Sequence, residues 1–201
     1  MPMPPGVPEF ALLAEYNRWM NARLYAAAAT LPEAELARDR GAFFGSILGT
    51  LNHVAVADTI WLKRFAASPR AQAALAPVCE LPAPRALDAP LFPRFSGLRA
   101  HREWLDGIIA AWVGGLGAHD LQQVLPYANT RGERFERVLG QLLLHFFNHQ
   151  THHRGQATTL LSQAGVDVGV TDLLALIPDA GAPDANAPVA AAARTAAPHP
   201  H

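Results

Sequence analysis

Four of the nine histidines lie within the segment HFFNHQTHHRGQ, whose flanking apolar residues keep helical spacing. Residues four apart on a helix are offset by only about 40° around its axis and about 6 Å along it, so His149 and His153 project side by side. Transition metals accept histidine nitrogen at about 2.0–2.1 Å, which such a pair can offer to one ion. The spacing therefore predicts that His149 and His153 bind a divalent ion of zinc, nickel, iron or manganese.

The other histidines are weaker candidates. His145 extends the same stripe by one turn, whereas His152 points about 100° away from His153, so neither is assigned to the ligand set. His101 and His119 are expected to face solvent, and His199 and His201 to lie in the terminal tail.

A third ligand should come from another helix, because two ligands rarely make a tight site. His53 is the remaining histidine in a strongly apolar helix, where an unpaired imidazole would be costly to bury. A lone helical histidine is more often an ordinary core or surface residue, so sequence spacing alone leaves His53 open. Asp58, about 140° around the helix from His53, is expected to be solvated or salt-bridged, and Gln156 to be an exposed amide or to orient a water.

Four stretches with 3.6-residue apolar periodicity would position these side chains. They cover about residues 8–30, 46–68, 96–116 and 135–164, and Ser46 is the expected N-cap of the second. A short helix capped by Thr171 is expected over 171–177, and a small hairpin is allowed around the turn at 129–132. Residues 66–93 are rich in proline and alanine, which predicts a long surface connection without a regular element. The four tryptophans are expected in the core, and Gly155 to allow close approach of another helix.

The chain is expected to be one domain over residues 9–178, with a flexible segment at 1–8 and a disordered Ala/Pro-rich tail at 179–201. A net charge of −1 gives no basic surface for nucleic acid or an anionic membrane. Cys79 is the single cysteine, which excludes an intramolecular disulfide and is compatible with the expected location in a reducing cytoplasm. The proline-rich start is unlike a signal peptide, and no apolar run reaches the ~20 residues of a membrane span.

The motifs together resemble the DinB (damage-inducible protein) superfamily. The resemblance rests on His53 in the second predicted helix, on NHQTHHRGQ in the fourth and on YNRWMNARL in the first, and it covers about residues 10–178. It implies an all-α, up-down-down-up four-helix bundle that forms a homodimer. It also implies that His53, His149 and His153 bind the metal, with open positions filled by water. Some members of that superfamily transfer low-molecular-weight thiols or isomerise maleylpyruvate with a thiol cofactor.

Two functional hypotheses follow. The first is a metal-dependent enzyme, thiol S-transferase-like or hydrolase-like, that acts on a small molecule at a three-histidine site with open positions. The second is a stress-related bundle that binds a metal or ligand without catalysis.

Overall fold

The computed structural model describes residues 6–84 and 86–179, which are mostly helical. The long helices are α1 (Val7–Ala28), α3 (Ile47–Phe65), α5 (Phe95–Gly114) and α7 (Leu139–Gln163). The shorter ones are α2 (Glu33–Ala37), α4 (Pro69–Cys79), α6 (Ala118–Leu121) and a 3-10 helix (Leu173–Leu176). Strands β1 (Val124–Ala128) and β2 (Arg134–Val138) form an antiparallel pair. The expected all-α protein therefore carries one small hairpin, at the place where the sequence allowed it.

Local sequence explains the ends of the helices that carry the site. Ser46 caps α3 as expected, because its hydroxyl accepts a hydrogen bond from the Gly49 N–H at 3.0 Å. Every residue from 51 to 59 is buried, so α3 runs through the interior. The last long helix starts at Leu139 rather than near residue 135, because the residues before it pair with β1. It ends before Gly165, whose φ of 79° is the left-handed conformation that terminates helices.

The prediction that residues 66–93 form no regular element is wrong, since α4 occupies Pro69–Cys79. Proline is tolerated in the first turn of a helix, where its missing N–H has no partner to lose, and the alanines that follow favour the helix. A second proline, Pro77, lies inside α4 but only two residues before its end. Leu75 and Val78 are fully buried against the core, and this tertiary contact stabilises the helix. The described residues of 66–68 and 80–93 form no helix or strand, as expected.

Three smaller expectations also fail. The last element is a 3-10 helix whose N-cap is Asp172, and Thr171 instead offers its carbonyl oxygen to the Tyr16 hydroxyl at 2.6 Å. Gly155 faces open space, so none of the described helices approaches it closely. Trp104 is 38% exposed, whereas Trp112 lies in the core as expected.

The long helices pack around two apolar clusters. α1 contacts α5 and α7, and α3 contacts α7, α5 and α4. One cluster contains Phe10, Phe65 and Phe146, and the other contains Leu24 and Leu161. Between the two clusters, the long helices carry buried polar side chains. These side chains, which include Asn21, Asp58, Arg102 and Gln150, form a polar layer across the middle of the helices. No helix in the described part of the chain is long and apolar enough to cross a membrane. Residues 180–201 of the expected tail, with His199 and His201, and residues 1–5 lie outside the described residues.

Candidate metal centre

His53 on α3 meets His149 and His153 on α7 at the level of the polar layer. The ring centroids lie 4.4 Å apart for His149 and His153, 4.5 Å for His53 and His153, and 5.3 Å for His53 and His149. One potential ligand nitrogen from each ring lies within 4.8 Å of the other two. The structure thus brings together the three histidines that the sequence proposed, including His53, which spacing alone had left open.

The closest pair of nitrogens has a separation suited to a shared ion. His53 Nε2 and His149 Nε2 lie 3.4 Å apart. Two nitrogens bound tetrahedrally at 2.0–2.1 Å would be about 3.3–3.4 Å apart, whereas a right-angled arrangement would bring them to about 2.9 Å. The distance therefore fits two corners of a tetrahedral site.

The tautomer of His53 is set by its surroundings. Its Nδ1 lies 2.8 Å from the Leu87 carbonyl oxygen, which is only an acceptor, so Nδ1 carries the proton and Nε2 is bare. Phe44 stacks on the imidazole with 3.8 Å between ring centroids and 16° between planes. A Cβ at Gly49 would lie 2.1 Å from the Phe44 carbonyl oxygen, so this stacking requires glycine at that position. His53 therefore directs an unprotonated nitrogen at the other two histidines.

Gln156 performs the same role for His153. Its Oε1 lies 2.8 Å from His153 Nδ1, which makes Nδ1 the donor and leaves Nε2 bare. Its amide Nε2 in turn donates to His152 Nε2 at 3.2 Å. Gln156 is thus half-buried and bonded to an imidazole, not the exposed amide that was the default expectation. The Gln156 amide therefore connects His152 to His153 by hydrogen bonds, and His152 is not one of the three clustered histidines.

All three imidazoles are held in the neutral form. Burial, together with smaller contributions from the neighbouring His153 and His53, which would repel a positive charge, lowers the pKa of His149 to about 3. Burial is also the main cause that lowers the pKa of His53 and of His153. Only neutral imidazole has a free lone pair for a metal ion, so protons compete weakly at this site around neutral pH.

A cavity of about 540 Å³ opens onto His53 and His153. Its remaining walls are Phe43, Phe44, Leu87, Asp88, His152 and Gln156. A volume of this size is typical of a small-molecule site. The side of the histidine cluster that faces the cavity is therefore accessible to a ligand.

The remaining histidines take different positions. His145 is exposed and packs against Trp61, with its ring centroid 6.1 Å from that of His149. His119 is exposed, as expected. His101 is half-buried between Phe92 and Trp104, so the expectation that it faces solvent is wrong. Burial, with a smaller contribution from the adjacent Arg102, lowers the pKa of His101 to about 4.

A buried ionic network lies behind the histidines. The Arg102 guanidinium contacts Asp58 at 2.5 Å and Asp106 at 2.9 Å, and all three side chains are almost fully buried. Gln150 donates to Asp58 at 2.8 Å. Asp106 accepts hydrogen bonds from Asn17 and Asn21, and Arg154 donates to Asn17. The network joins all four long helices and places Asp58 in a salt bridge, one of its two expected environments.

The predictions made from the sequence do not include most of this network, although a pattern in the sequence indicates it. Three of its helices contribute residues four apart, which are Asn17 with Asn21, Arg102 with Asp106 and Gln150 with Arg154. Polar pairs at this spacing on an apolar stripe indicate a polar layer inside the protein.

Comparison with known proteins agrees with the residue pattern. Protein DinB of Bacillus subtilis (strain 168) is 27% identical over 168 residues, which cover 80% of this chain and 88% of that protein. No solved structure matches the chain significantly. The model of the DinB family matches residues 5–184, a span that includes His53, His149 and His153. The chain therefore belongs to the DinB family.

Proposed function

We propose that this protein is a metal-dependent enzyme in which His53, His149 and His153 bind one divalent ion. The observation that carries the proposal is a cluster of three neutral imidazoles, two of which, His53 and His153, line a cavity of about 540 Å³. Structural zinc sites are normally closed by four protein ligands, whereas catalytic sites keep a position open for water or substrate. Three ligands beside an accessible cavity match the catalytic type.

The donor set restricts the metal and the chemistry. Imidazole nitrogen suits zinc, nickel and iron, with manganese as a further candidate, and no thiolate or carboxylate joins the cluster among the described residues. When bound, an ion of this kind acts as a Lewis acid and makes water or a thiol more acidic. We propose thiol transfer or hydrolysis of a small molecule as the reaction, with a low-molecular-weight thiol as a candidate second substrate.

The protein contributes orientation and exclusion of water. The Leu87 carbonyl and the Gln156 amide hold the protons of His53 and His153 on Nδ1, so that both Nε2 atoms stay available. Phe44 covers one face of His53 and shields it from solvent. These contacts fix the ligand rings before any ion arrives, which reduces the entropy lost on binding.

We also propose an up-down-down-up four-helix bundle over residues 9–178 that acts as a cytoplasmic homodimer. Contacts along the helices support this order. Tyr25 near the end of α1 contacts Phe95 at the start of α5, and Phe65 at the end of α3 contacts Phe146 in the first part of α7, as antiparallel pairs would. Light scattering after size-exclusion chromatography measures the oligomeric state, and a monomer at micromolar concentration would refute the dimer.

Metal analysis tests the site. Purified wild-type protein should contain about one equivalent of a divalent transition metal, and His149→Ala should lose it. His145→Ala is the matched control, because it removes an exposed imidazole one turn away on the same helix and should keep the metal. Full metal content in His149→Ala would refute the assignment.

A second experiment separates catalysis from a structural role. Thiol transfer and ester hydrolysis are screened with and without chelator, beside thermal melts of the same samples. Loss of a measured reaction on chelation supports the enzyme. A lower melting temperature with no reaction under any condition would favour the non-catalytic metal-binding bundle instead.

A further inference from the structure

Phe43 is the most exposed of the large apolar side chains in the described part of the chain, at 88%. It lies in a tight turn in which Ala42 and Gly45 form a bridge. Gly41 and Gly45 have φ values of 67° and 72°, which other residues adopt only with strain. The Arg40 N–H donates to the Gly45 carbonyl at 2.7 Å, which closes the turn. The chain thus holds a phenyl ring in solvent on a defined backbone.

The turn at residues 42–45 lies beside the histidine cluster. Phe43 packs edge-on against Phe44 with 4.8 Å between ring centroids, and Phe44 stacks on His53. Leu87, itself 46% exposed, lines the same cavity. A continuous apolar surface therefore runs from open solvent to the imidazoles.

We propose that the substrate carries an aliphatic or aromatic chain that packs on Phe43, Phe44 and Leu87, while its polar end reaches the three histidines. This inference rests on the proposed metal site and names the class of substrate. Exposed apolar side chains scattered singly need no explanation, but here two of them, Phe43 and Leu87, line one cavity together with the half-buried Phe44 and two of the histidines. An apolar chain would bury the surface that Phe43 now exposes.

Chain-length dependence gives a direct test. Aceto-, butyro- and hexanohydroxamate share one metal-binding head and differ only in the number of methylenes. Burial of a methylene is worth about 0.8 kcal/mol, which corresponds to about fourfold in affinity. The affinity of cobalt-loaded protein for each compound is measured from the change in the visible cobalt spectrum. We expect an increase of about two- to fourfold per methylene for the wild type.

Substitution then locates the apolar contact. Phe43→Ser should lower the ratio of hexanohydroxamate to acetohydroxamate affinity several-fold. Leu174→Ser is the matched control, because Leu174 is 73% exposed but lies outside the cavity, and it should keep the wild-type ratio. An equal ratio in wild type and Phe43→Ser, with cobalt bound and acetohydroxamate binding normally, would overturn this inference and leave the metal site standing.

Two other results would also decide the matter. Dissociation of a dimer by Phe43→Ser, with an unchanged affinity ratio, would show that Phe43 contacts a second copy of the chain and would overturn the inference. A protein that binds no cobalt would overturn the proposed function and this inference together.

Discussion

Replacement of Arg102 by methionine should destabilise the protein strongly. Arg102 is 1% exposed and contacts two carboxylates, Asp58 at 2.5 Å and Asp106 at 2.9 Å. Methionine fills much of the same volume but leaves both carboxylates buried without their cation. Removal of one partner from a buried ion pair costs about 3–5 kcal/mol, a large part of the roughly 5–15 kcal/mol that stabilises a domain. We expect a loss in this range in urea denaturation at pH 7.5.

The loss should depend on pH with a definite sign. Burial raises the pKa of Asp106 and Arg102 opposes this effect, so removal of Arg102 raises the Asp106 pKa further. A carboxyl whose pKa is higher in the folded state binds a proton more readily there. The free energy of unfolding of Arg102→Met should therefore fall as pH rises from about 4 to 7, and its deficit relative to wild type should be smaller at pH 5 than at pH 7.5.

A matched surface arginine serves as the control. Arg99 lies one turn earlier on the same helix and pairs with Glu103 at 3.0 Å, but both side chains are largely exposed. Arg99→Met should cost at most about 0.5 kcal/mol, because exposed pairs of this kind contribute little. A loss for Arg102→Met no larger than that of Arg99→Met, or one that is constant between pH 5 and pH 7.5, would refute the role given to the network.

Three further predictions follow from single contacts. Gln156→Ala removes the acceptor for His153 Nδ1 and should lower metal affinity about 10–100-fold in a chelator competition; unchanged affinity would mean that the amide does not orient the ring. Asn52→Ala removes the acceptor for the Phe92 N–H at 3.0 Å, so that amide should exchange with deuterium faster and stability should fall by about 1–3 kcal/mol; wild-type protection of Phe92 would contradict this. His101 has a pKa of about 4 in the folded protein, so its contribution to the free energy of unfolding should be lost as pH falls from about 6.5 towards 4. His101→Phe should flatten that dependence in denaturation curves at pH 7 and pH 5, and an equally steep curve would exclude His101 as its source.

The sequence predicts the elements that its local physics determines. Apolar periodicity locates the four long helices, the Ser46 cap marks the start of α3, and the turn at 129–132 marks the hairpin. Proline content does not predict α4, because Pro69 lies in its first turn, where proline is tolerated, and Pro77 lies close to its C-terminal end. Its buried face, with Leu75 and Val78, is stabilised by contacts that become visible only once the long helices pack.

The candidate site also contains residues that local sequence predicts and residues that depend on packing. Helix geometry alone pairs His149 with His153, because both lie on one stripe of one helix. His53 joins them through the packing of α3 on α7, which spacing cannot supply and which the family resemblance supplied instead. The groups that fix its ring, the Leu87 carbonyl and Phe44, come from connecting segments and carry no pattern that predicts their positions.

The order of residues on α7 links the histidine cluster to the ionic network. His149 precedes Gln150, and consecutive residues point about 100° apart, so the histidines face the cavity while Gln150 and Arg154 face the core. A rotation of α7 by one residue would carry the histidines away from His53. It would also take Gln150 away from Asp58 and leave Arg154 without Asn17. Because unpaired buried polar groups are costly, we infer that the network selects the rotation of α7 in which the three imidazoles meet.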